Sequence, residues 1–310
     1  MIDAKSAIRV VFILGPTASG KTNLAIKAAQ KMGGEIINAD SIQVYKSLNI
    51  GSAKPTKEEL EAVPHHLIGH LAEGSAYTAG QFRREVLEVI EKRSREGIQK
   101  FYIVGGSGFY IKALINGLYK VPDIPVEIQE KVKNEKTIDL YEELKRVDPE
   151  NAKILNANDS YRIARAIEVY RATGIPFSEY KNKFSEEKFP YKCIKIGLRT
   201  DKENLRNRVL QRTEKMLKEG LIEEVKDLVE KGLEEWDALQ SVGYKEVQLF
   251  LKGLLPQDQL REEIVKNTMG LIKRQMTWFK KDIDMTWFDV SLSEDLQATE
   301  KIVQFIEEEM

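Results

Sequence analysis

Eight consecutive residues, Gly15 to Thr22, read GPTASGKT and match the pattern G-x-x-x-x-G-K-[ST]. They follow the apolar run 9–14 and open a segment with helical periodicity, as a phosphate loop requires. Glycines let backbone N–H groups close around phosphate oxygens, Lys21 can bridge terminal phosphates, and the Thr22 hydroxyl can bind Mg²⁺. The predicted phosphate-binding residues are Gly15, Pro16, Thr17, Ala18, Ser19, Gly20, Lys21 and Thr22.

The phosphate loop leaves the identity of its ligand open. Such a loop recognises a diphosphate or a triphosphate, so ATP, GTP and a prenyl pyrophosphate all satisfy it. An ordinary glycine-rich turn is the other explanation, but it requires the pattern and the strand-to-helix context to coincide by accident. The rest of the site must decide what the phosphates carry.

A carboxylate follows the second apolar run of the chain. Asp40 comes directly after residues 35–39, and ligands of open α/β sheets bind at the carboxyl ends of strands. We therefore expect Asp40 to lie beside the phosphate loop. Two roles remain open for it, which are holding Mg²⁺ through water and accepting a proton from a substrate.

Five apolar runs predict strands at residues 9–14, 35–39, 101–104, 193–198 and 285–290. Helical patterns such as 22–31 and 82–95 separate them, as in a parallel sheet with crossover helices. The strand signal disappears between Pro122 and Pro190. The predicted fold is α/β, with a P-loop NTPase-like parallel sheet core from residues 1–121 and 191–310 and an inserted all-helical domain at 122–190.

Composition limits the classes of protein that fit. The chain has 310 residues, a net charge of -1 and a single cysteine, Cys193. One cysteine excludes an internal disulfide framework, and no apolar run approaches the ~18 residues of a membrane span. We expect a monomeric cytoplasmic protein without membrane contact. Because no global positive field is present, a nucleic-acid partner has to be held by local basic patches.

Seven blocks carry a resemblance to a known family. They are ADSIQVY (39–45), IGSAKP (50–55), PHHLIG (64–69), VGGSGFYIKAL (104–114), NDSYRIARAIEVY (158–170), VGYKE (242–246) and KRQMTWF (273–279). Together with the phosphate loop, and in this order, they resemble the tRNA dimethylallyltransferase (tRNA isopentenyltransferase) family of the bacterial type without a zinc finger. Ser107 stands where that family usually has threonine, which keeps the hydroxyl.

The resemblance implies a reaction and roles for four residues. A dimethylallyl group passes from dimethylallyl pyrophosphate to N6 of an adenine adjacent to the anticodon of tRNA, and pyrophosphate leaves. Lys21, with Mg²⁺ held by Thr22, neutralises the leaving group. Asp40 accepts the proton of the attacking amine, and Arg212 contacts the pyrophosphate.

The resemblance also implies the tRNA-binding residues. A flipped adenine occupies a pocket formed by Asp40, Ser41, Ile42, Gln43 and Ser107, where the Gln43 amide can accept from N6 and donate to N7. The anticodon stem-loop contacts the helical domain and the VGYKE block. The residues concerned are Tyr161, Arg162, Arg165, Gly243, Tyr244 and Lys245. Solvated arginines on an ordinary helix surface are the alternative for the arginines.

The segment 201–232 has a continuous helical pattern with an apolar stripe. Thr200 and Glu203 have the spacing of a capping box. Arg208, Arg212 and Lys215 stand at i, i+4 and i+7, which predicts one basic face that either is solvated or contacts phosphates.

Two aromatic residues and the histidines have competing explanations. Trp278 and Phe279 lie in a basic block, yet we expect them to be core anchors. His66 and His70 are spaced i, i+4, and binding of zinc by them requires a third ligand from elsewhere.

Three rival functions remain open at this point. An ATP-dependent small-molecule kinase uses the same loop, and a prenyltransferase acting on free AMP uses the same chemistry without the helical domain. A nucleotide-dependent RNA-binding regulator is compatible with the basic helices.

Overall fold

The computed structural model describes residues 7–118, 123–183, 188–291 and 296–310. The chain divides into two compact units. The first consists of Met1–Ala113 and Pro190–Met310, and the second of Leu114–Phe189. The second unit therefore starts at Leu114, whereas the strand signal of the sequence disappears at Pro122. Each unit is described separately.

A parallel sheet of six strands forms the first unit. Its spatial order is β3-β2-β4-β1-β5-β6, and all five strand pairs are parallel. The strands are β1 (Arg9–Leu14), β2 (Glu35–Asn38), β3 (His65–His66), β4 (Lys100–Gly105), β5 (Lys192–Arg199) and β6 (Met285–Asp289). The central strands are buried almost throughout, since helices cover both faces. The predicted parallel α/β fold is confirmed.

Helices connect and cover these strands. They are α1 (Lys21–Met32), α2 (Lys57–Ala62), α3 (Ala79–Arg95), α4 (Gly108–Asn116), α10 (Lys202–Lys218), α11 (Leu221–Glu230), α12 (Tyr244–Leu251), α13 (Gln257–Phe279) and α14 (Leu296–Glu309), with a 3₁₀ turn at Asp237–Gln240. Helix α4 runs from the first unit into the second. Among the described residues, no helix is both long and apolar enough to cross a membrane.

The predicted continuous helix at 201–232 is two helices. Gly220 adopts φ 103° between α10 and α11, a left-handed conformation that ends one helix and begins the next. The predicted capping box is also wrong, because Asp201 is the N-cap and its side chain accepts from the Asn204 N–H at 2.9 Å. The buried Thr200 hydroxyl has no hydrogen-bond partner among the described residues.

The second unit contains α5 (Val126–Lys133), α6 (Thr137–Val147), α7 (Pro149–Ile154), α8 (Ser160–Thr173) and α9 (Phe177–Lys183). None of its described residues lies in a strand. Its core includes Leu144, Ile163 and Ile167, all fully buried. Arg171 of α8 binds Glu135 through two hydrogen bonds of 2.7 and 2.8 Å and also contacts Glu143 of α6. These ion pairs join α8 to α6 and to the segment between α5 and α6.

Candidate functional site

The phosphate loop connects β1 to α1. Gly20 adopts φ 85° at the N-cap, and Ala18 has φ 62°, so the chain turns sharply before α1 begins at Lys21. A Cβ at Gly15 would lie 2.9 Å from the Leu198 carbonyl oxygen, which explains the glycine at the start of the loop. The first N–H groups of α1 have no partners within the helix and form an anion site.

Lys21 folds back over this loop. Its Nζ donates to the Pro16 carbonyl oxygen at 2.6 Å and to Ser19 Oγ at 3.5 Å. Desolvation by burial lowers the pKa of Lys21 to about 8, although the negative charge of Asp40 opposes the shift. The ammonium is therefore held where a phosphate would both neutralise it and raise its pKa again.

Arg212 reaches the loop from α10. Its Nη1 donates to Thr17 Oγ1 at 2.7 Å. Burial lowers the pKa of Arg212, and Asp40 again partly offsets the effect. The other two basic residues of this face have different partners, since Arg208 donates to the Val290 carbonyl oxygen at 2.6 Å and the exposed Lys215 pairs with Glu219 at 3.7 Å. Of these three described residues, Arg212 is the one that donates a hydrogen bond to the phosphate loop.

Asp40 leaves the carboxyl end of β2 in a fixed orientation. Its Oδ1 accepts from the N–H groups of Ile42 at 2.8 Å and Gln43 at 3.4 Å, and its own N–H donates to Asn38 Oδ1 at 3.1 Å. Within the described chain, no hydrogen bond reaches Asp40 Oδ2. One oxygen therefore orients the carboxylate, while the other is available to a substrate.

The glycine-rich turn after β4 lies against this segment. A Cβ at Gly105 would lie 2.2 Å from the Ala39 carbonyl oxygen, so only glycine allows the approach. Ser107 Oγ accepts from the Ser41 N–H at 3.3 Å and lies 3.5 Å from Ser41 Oγ. The structure thus brings Ser41 and Ser107 together beside Asp40.

The Gln43 side-chain amide already makes hydrogen bonds within the protein. Its Nε2 donates to the carbonyl oxygens of Ser52 at 3.1 Å and Ala53 at 3.0 Å. An amide nitrogen has two hydrogens, and both are used here. This arrangement leaves Oε1 for a base, and donation by the same amide to N7 would require one of these hydrogen bonds to break.

Gln275 of α13 is a site residue that the sequence analysis did not identify. Its Oε1 accepts from the Thr17 N–H at 3.0 Å, and its Nε2 donates to the Gly106 carbonyl oxygen at 3.1 Å. It therefore joins the phosphate loop to the glycine-rich turn. Gln275 shares a helix face with the buried residues Ile272 and Phe279. A polar residue on an apolar stripe is the signal that could have indicated this role.

The two aromatic residues of the KRQMTWF block differ in burial. Phe279 is a core residue as expected, whereas Trp278 is 37% exposed, so the expectation that it is also a core anchor is wrong. The Trp278 side chain covers Gly108. A Cβ added at Gly108 would lie 2.9 Å from the Cβ of Trp278. Lys112 Nζ lies 5.8 Å from the centre of the Trp278 ring.

The expected contact of Tyr244 with tRNA requires correction. Tyr244 is fully buried at the start of α12, and its hydroxyl donates to Glu224 Oε1 at 2.7 Å. Its side chain is therefore not available to a macromolecule. Gly243 is buried beside it, and Lys245 is exposed.

The candidate tRNA residues of the second unit lie on α8. Tyr161 is 80% exposed, and Arg162 is also exposed while it pairs with Asp159 at 3.4 Å. Arg165 donates to Glu168 at 3.0 Å and is half-buried. Tyr161 and Arg162 thus lie on a surface that a partner can reach.

The histidines have partners other than a metal. His66 lies 2.7 Å from Glu35, His70 lies 3.0 Å from Glu85, and His65 Nδ1 lies 2.7 Å from the Val63 carbonyl oxygen. In the described ranges no group of three or more histidine, cysteine, aspartate or glutamate residues could hold a metal ion.

The parallel sheet and the loop at its carboxyl edge define a P-loop α/β protein. A family model described as IPP transferase matches residues 43–282, and the chain belongs to that family.

Related proteins have been described in several bacteria. The chain is 43% identical over 287 residues to the tRNA dimethylallyltransferase of Bdellovibrio bacteriovorus, which covers 90% of this chain and 92% of that protein. It is 40% identical to the tRNA dimethylallyltransferase of Geobacter sulfurreducens, over 96% of each chain.

Solved structures agree with this family. The full-length tRNA isopentenylpyrophosphate transferase of Bacillus halodurans has a TM-score of 0.73 and 30% identity, covering 98% of this chain and 97% of that one. A eukaryotic dimethylallyltransferase acting on tRNA has a TM-score of 0.85 and 29% identity, covering 97% of this chain and 80% of that one.

Proposed function

We propose that this chain transfers a dimethylallyl group from dimethylallyl pyrophosphate to N6 of an adenine adjacent to the anticodon of tRNA, with release of pyrophosphate. We propose further that it acts as a monomer in the cytoplasm. The names of the relatives support the reaction class. The observation that carries the residue roles is geometric: Lys21 and Arg212 both donate hydrogen bonds to the phosphate loop, and Asp40 keeps its Oδ2 free of hydrogen bonds among the described residues.

The donor binds with its diphosphate in the phosphate loop. Negative charge grows on the diphosphate as the allylic C–O bond breaks, and Lys21, Arg212 and the N–H groups of α1 stabilise that charge. Lys21 must exchange the Pro16 carbonyl oxygen for a phosphate oxygen. Both cations are partly buried, so their effect on the leaving group is stronger than it would be in water.

Mg²⁺ fits this arrangement as a partner of the donor. No cage of three protein carboxylates or histidines exists among the described residues, and Mg²⁺ commonly keeps waters and binds substrate phosphates with one or two protein ligands. The Thr22 hydroxyl, in the first turn of α1, would be the protein ligand. When bound, Mg²⁺ supplies further neutralisation of the diphosphate.

The acceptor adenine lies on the other side of the site. Its exocyclic amine is a weak nucleophile that becomes cationic as the new bond to the allylic carbon forms, so a base must take its proton. Asp40 Oδ2 is that base, because Oδ1 is committed to the N–H groups of Ile42 and Gln43. Gln43 Oε1 accepts the second N6 hydrogen, and Ser41 and Ser107 line the pocket.

The anticodon arm contacts the helical unit, for which we propose the boundaries 122–190, through Tyr161, Arg162 and Arg165. Exposed aromatic and basic side chains of this kind stack on unpaired bases and bind phosphates. The exposed Lys245 extends the contact in the first unit. Gly243 and Tyr244 are buried, so they support this segment from inside the core.

The test is a direct assay with labelled dimethylallyl pyrophosphate and unmodified tRNA, followed by mass analysis of the nucleosides. The proposal expects one adenosine to gain a dimethylallyl group. Parallel reactions contain ATP with small-molecule acceptors, or free AMP in place of tRNA. Phosphoryl transfer from ATP, or prenylation of AMP with no tRNA product, would contradict the proposal and favour one of the two rival enzymes.

A further inference from the structure

Glu224 of α11 holds three consecutive backbone N–H groups of the loop that follows the Asp40 segment. Its Oε2 accepts from Asn49 at 3.0 Å and from Ile50 at 2.8 Å, and its Oε1 accepts from Gly51 at 3.1 Å. Successive N–H groups that converge in this way form a concave anion site. Here the anion is a side chain of the protein, which fixes the loop through charge-assisted hydrogen bonds.

Tyr244 supports the same contact from α12. Its hydroxyl donates to Glu224 Oε1 at 2.7 Å, and its ring lies directly on Gly51, where a Cβ would be 2.5 Å from the ring carbon Cζ. Burial raises the pKa of Tyr244, so the hydroxyl keeps its proton and remains a donor. Glu224 and Tyr244 therefore act together on residues 49–51.

The next two residues of the loop orient Gln43. The carbonyl oxygens of Ser52 and Ala53 accept both hydrogens of Gln43 Nε2. Ala53 has φ 48°, an uncommon value for a residue with a Cβ, which persists only when the surroundings impose it. The anchored residues 49–51 precede Ser52 and Ala53, and the Ala53 N–H donates to the Ile50 carbonyl oxygen at 3.0 Å, which connects the anchored segment to this conformation.

We propose that Glu224 is a positioning residue that fixes the Gln43 amide with Oε1 towards the acceptor base, so that the site selects an amino group at position 6 of the purine. The inference rests on the proposed function, because it concerns the adenine pocket of that reaction. With both Nε2 hydrogens held, the side chain offers the base an acceptor only. A purine with a carbonyl at position 6, such as hypoxanthine, would place its O6 against Gln43 Oε1. Both oxygens are acceptors, so the site rejects this base.

Glu224→Gln tests this role, since it removes the charge and places an amide nitrogen against backbone N–H groups. The readouts are KM for each substrate and the Kd values of two anticodon stem-loops, which carry adenosine or inosine at the target position. We expect KM for the RNA to rise roughly tenfold, the scale of one oriented hydrogen bond, with little change in KM for the donor. The preference for adenosine over inosine should fall by a similar factor.

Two controls separate positioning from general damage. Glu223→Gln removes an exposed carboxylate from the same first turn of α11 and should leave the adenosine preference unchanged. In a Gln43→Ala background, Glu224→Gln should no longer alter that preference, because the side chain on which it acts is absent. Tyr244→Phe keeps the ring on Gly51 and serves if Glu224→Gln does not fold, with a smaller shift in the same direction.

An unchanged preference for adenosine over inosine in a folded Glu224→Gln protein would overturn the inference. A fall in this preference that is equally large in the Gln43→Ala background would also overturn it. Failure of the proposed function gives a different result, which is a wild-type protein that forms no prenylated adenosine at all.

Discussion

Arg212 Nη1 and Thr17 Oγ1 are 2.7 Å apart, and this hydrogen bond joins α10 to the phosphate loop across 195 residues of sequence. A guanidinium in contact with the loop can transfer its donors to the diphosphate without leaving the site. This contact supports the proposed role of Arg212 in binding the donor. The expected consequences of this and four other arrangements can be measured.

Arg212→Ala should impair use of the donor. Removing a charge-assisted contact to the leaving diphosphate should lower kcat/KM for dimethylallyl pyrophosphate roughly 30-fold or more, while Kd for the RNA changes little. Steady-state kinetics with each substrate varied in turn makes the measurement. Lys215→Ala is the matched control, because Lys215 lies on the same helix but is exposed and pairs with Glu219. An unchanged donor dependence would remove Arg212 from the site.

Donor binding should weaken above about pH 8. Burial lowers the pKa of Lys21 to about 8, so the unliganded protein loses the ammonium charge as pH rises through that value. A bound diphosphate favours the charged form, and binding near this pH should therefore take up a proton. Calorimetric titration with inorganic pyrophosphate should show Kd rising roughly tenfold per pH unit above the pKa. Lys21→Ala should bind weakly without this dependence, and a flat wild-type profile between neutral and alkaline pH contradicts the assignment.

Replacing Gln275 should slow prenyl transfer, because this side chain contacts both the phosphate loop and the glycine-rich turn. Gln275→Ala releases the Thr17 N–H and the Gly106 carbonyl oxygen together, and we expect kcat to fall roughly tenfold to a hundredfold. Gln275→Glu keeps the acceptor for the Thr17 N–H but places a second oxygen against the Gly106 carbonyl oxygen. Its kcat should therefore be as low as that of Gln275→Ala. Single-turnover prenyl transfer is the measurement. Thr277→Ala, an exposed change on the same helix, is the control, and equal rates for all variants would exclude a bracing role.

The Glu35 carboxylate should make the free energy of unfolding decrease at acid pH. Hydrogen bonds from Arg93, of 2.9 and 2.5 Å, are the main reason that the pKa of Glu35 lies below its usual value, against the opposing effect of burial. This contribution is present above the pKa of the unfolded chain and is lost as pH falls through the folded value. Urea unfolding at pH 7 should show Glu35→Gln to be less stable by about 2 to 4 kcal/mol.

The same comparison at a pH below the folded-state pKa of Glu35 should show a smaller difference, because the wild-type carboxylate is then protonated. Glu91→Gln breaks an exposed pair with Arg95 and should cost about 0.5 kcal/mol or less. A Glu35→Gln penalty that does not change with pH would contradict the ion-pair explanation.

The strands of the sheet could be predicted because they are continuous apolar runs. Covered on both faces, β1 and β4 need hydrophobic residues at nearly every position, and that pattern is visible in the sequence. The two-residue strand β3 could not be found, since His65 and His66 are polar and pair with β2 alone, at the edge of the sheet.

The break between α10 and α11 was missed for a related reason. The apolar stripe continues on both sides of Gly220, so periodicity alone indicates one long helix. Only the left-handed conformation of Gly220 ends α10.

Within the site, residues that are contiguous in sequence could be predicted. Residues that contact the site from distant parts of the sequence could not. The phosphate loop is a contiguous motif with a known physical mechanism, and Asp40 follows a visible strand. Gln275 and Glu224 act through hydrogen bonds to backbone groups more than 150 residues away in sequence. A backbone N–H or carbonyl is the same for every residue type, so no spacing in the sequence reveals such a contact.

Asp40→Asn is the most direct test of the account, because asparagine keeps an oxygen for the N–H groups of Ile42 and Gln43 and loses only the base. Prenyl transfer should be measured in a single turnover with saturating donor and tRNA, together with Kd for the RNA. We expect turnover to fall roughly 100-fold or more with RNA binding retained. Turnover equal to that of the wild-type protein would contradict the assignment of Asp40 as the base.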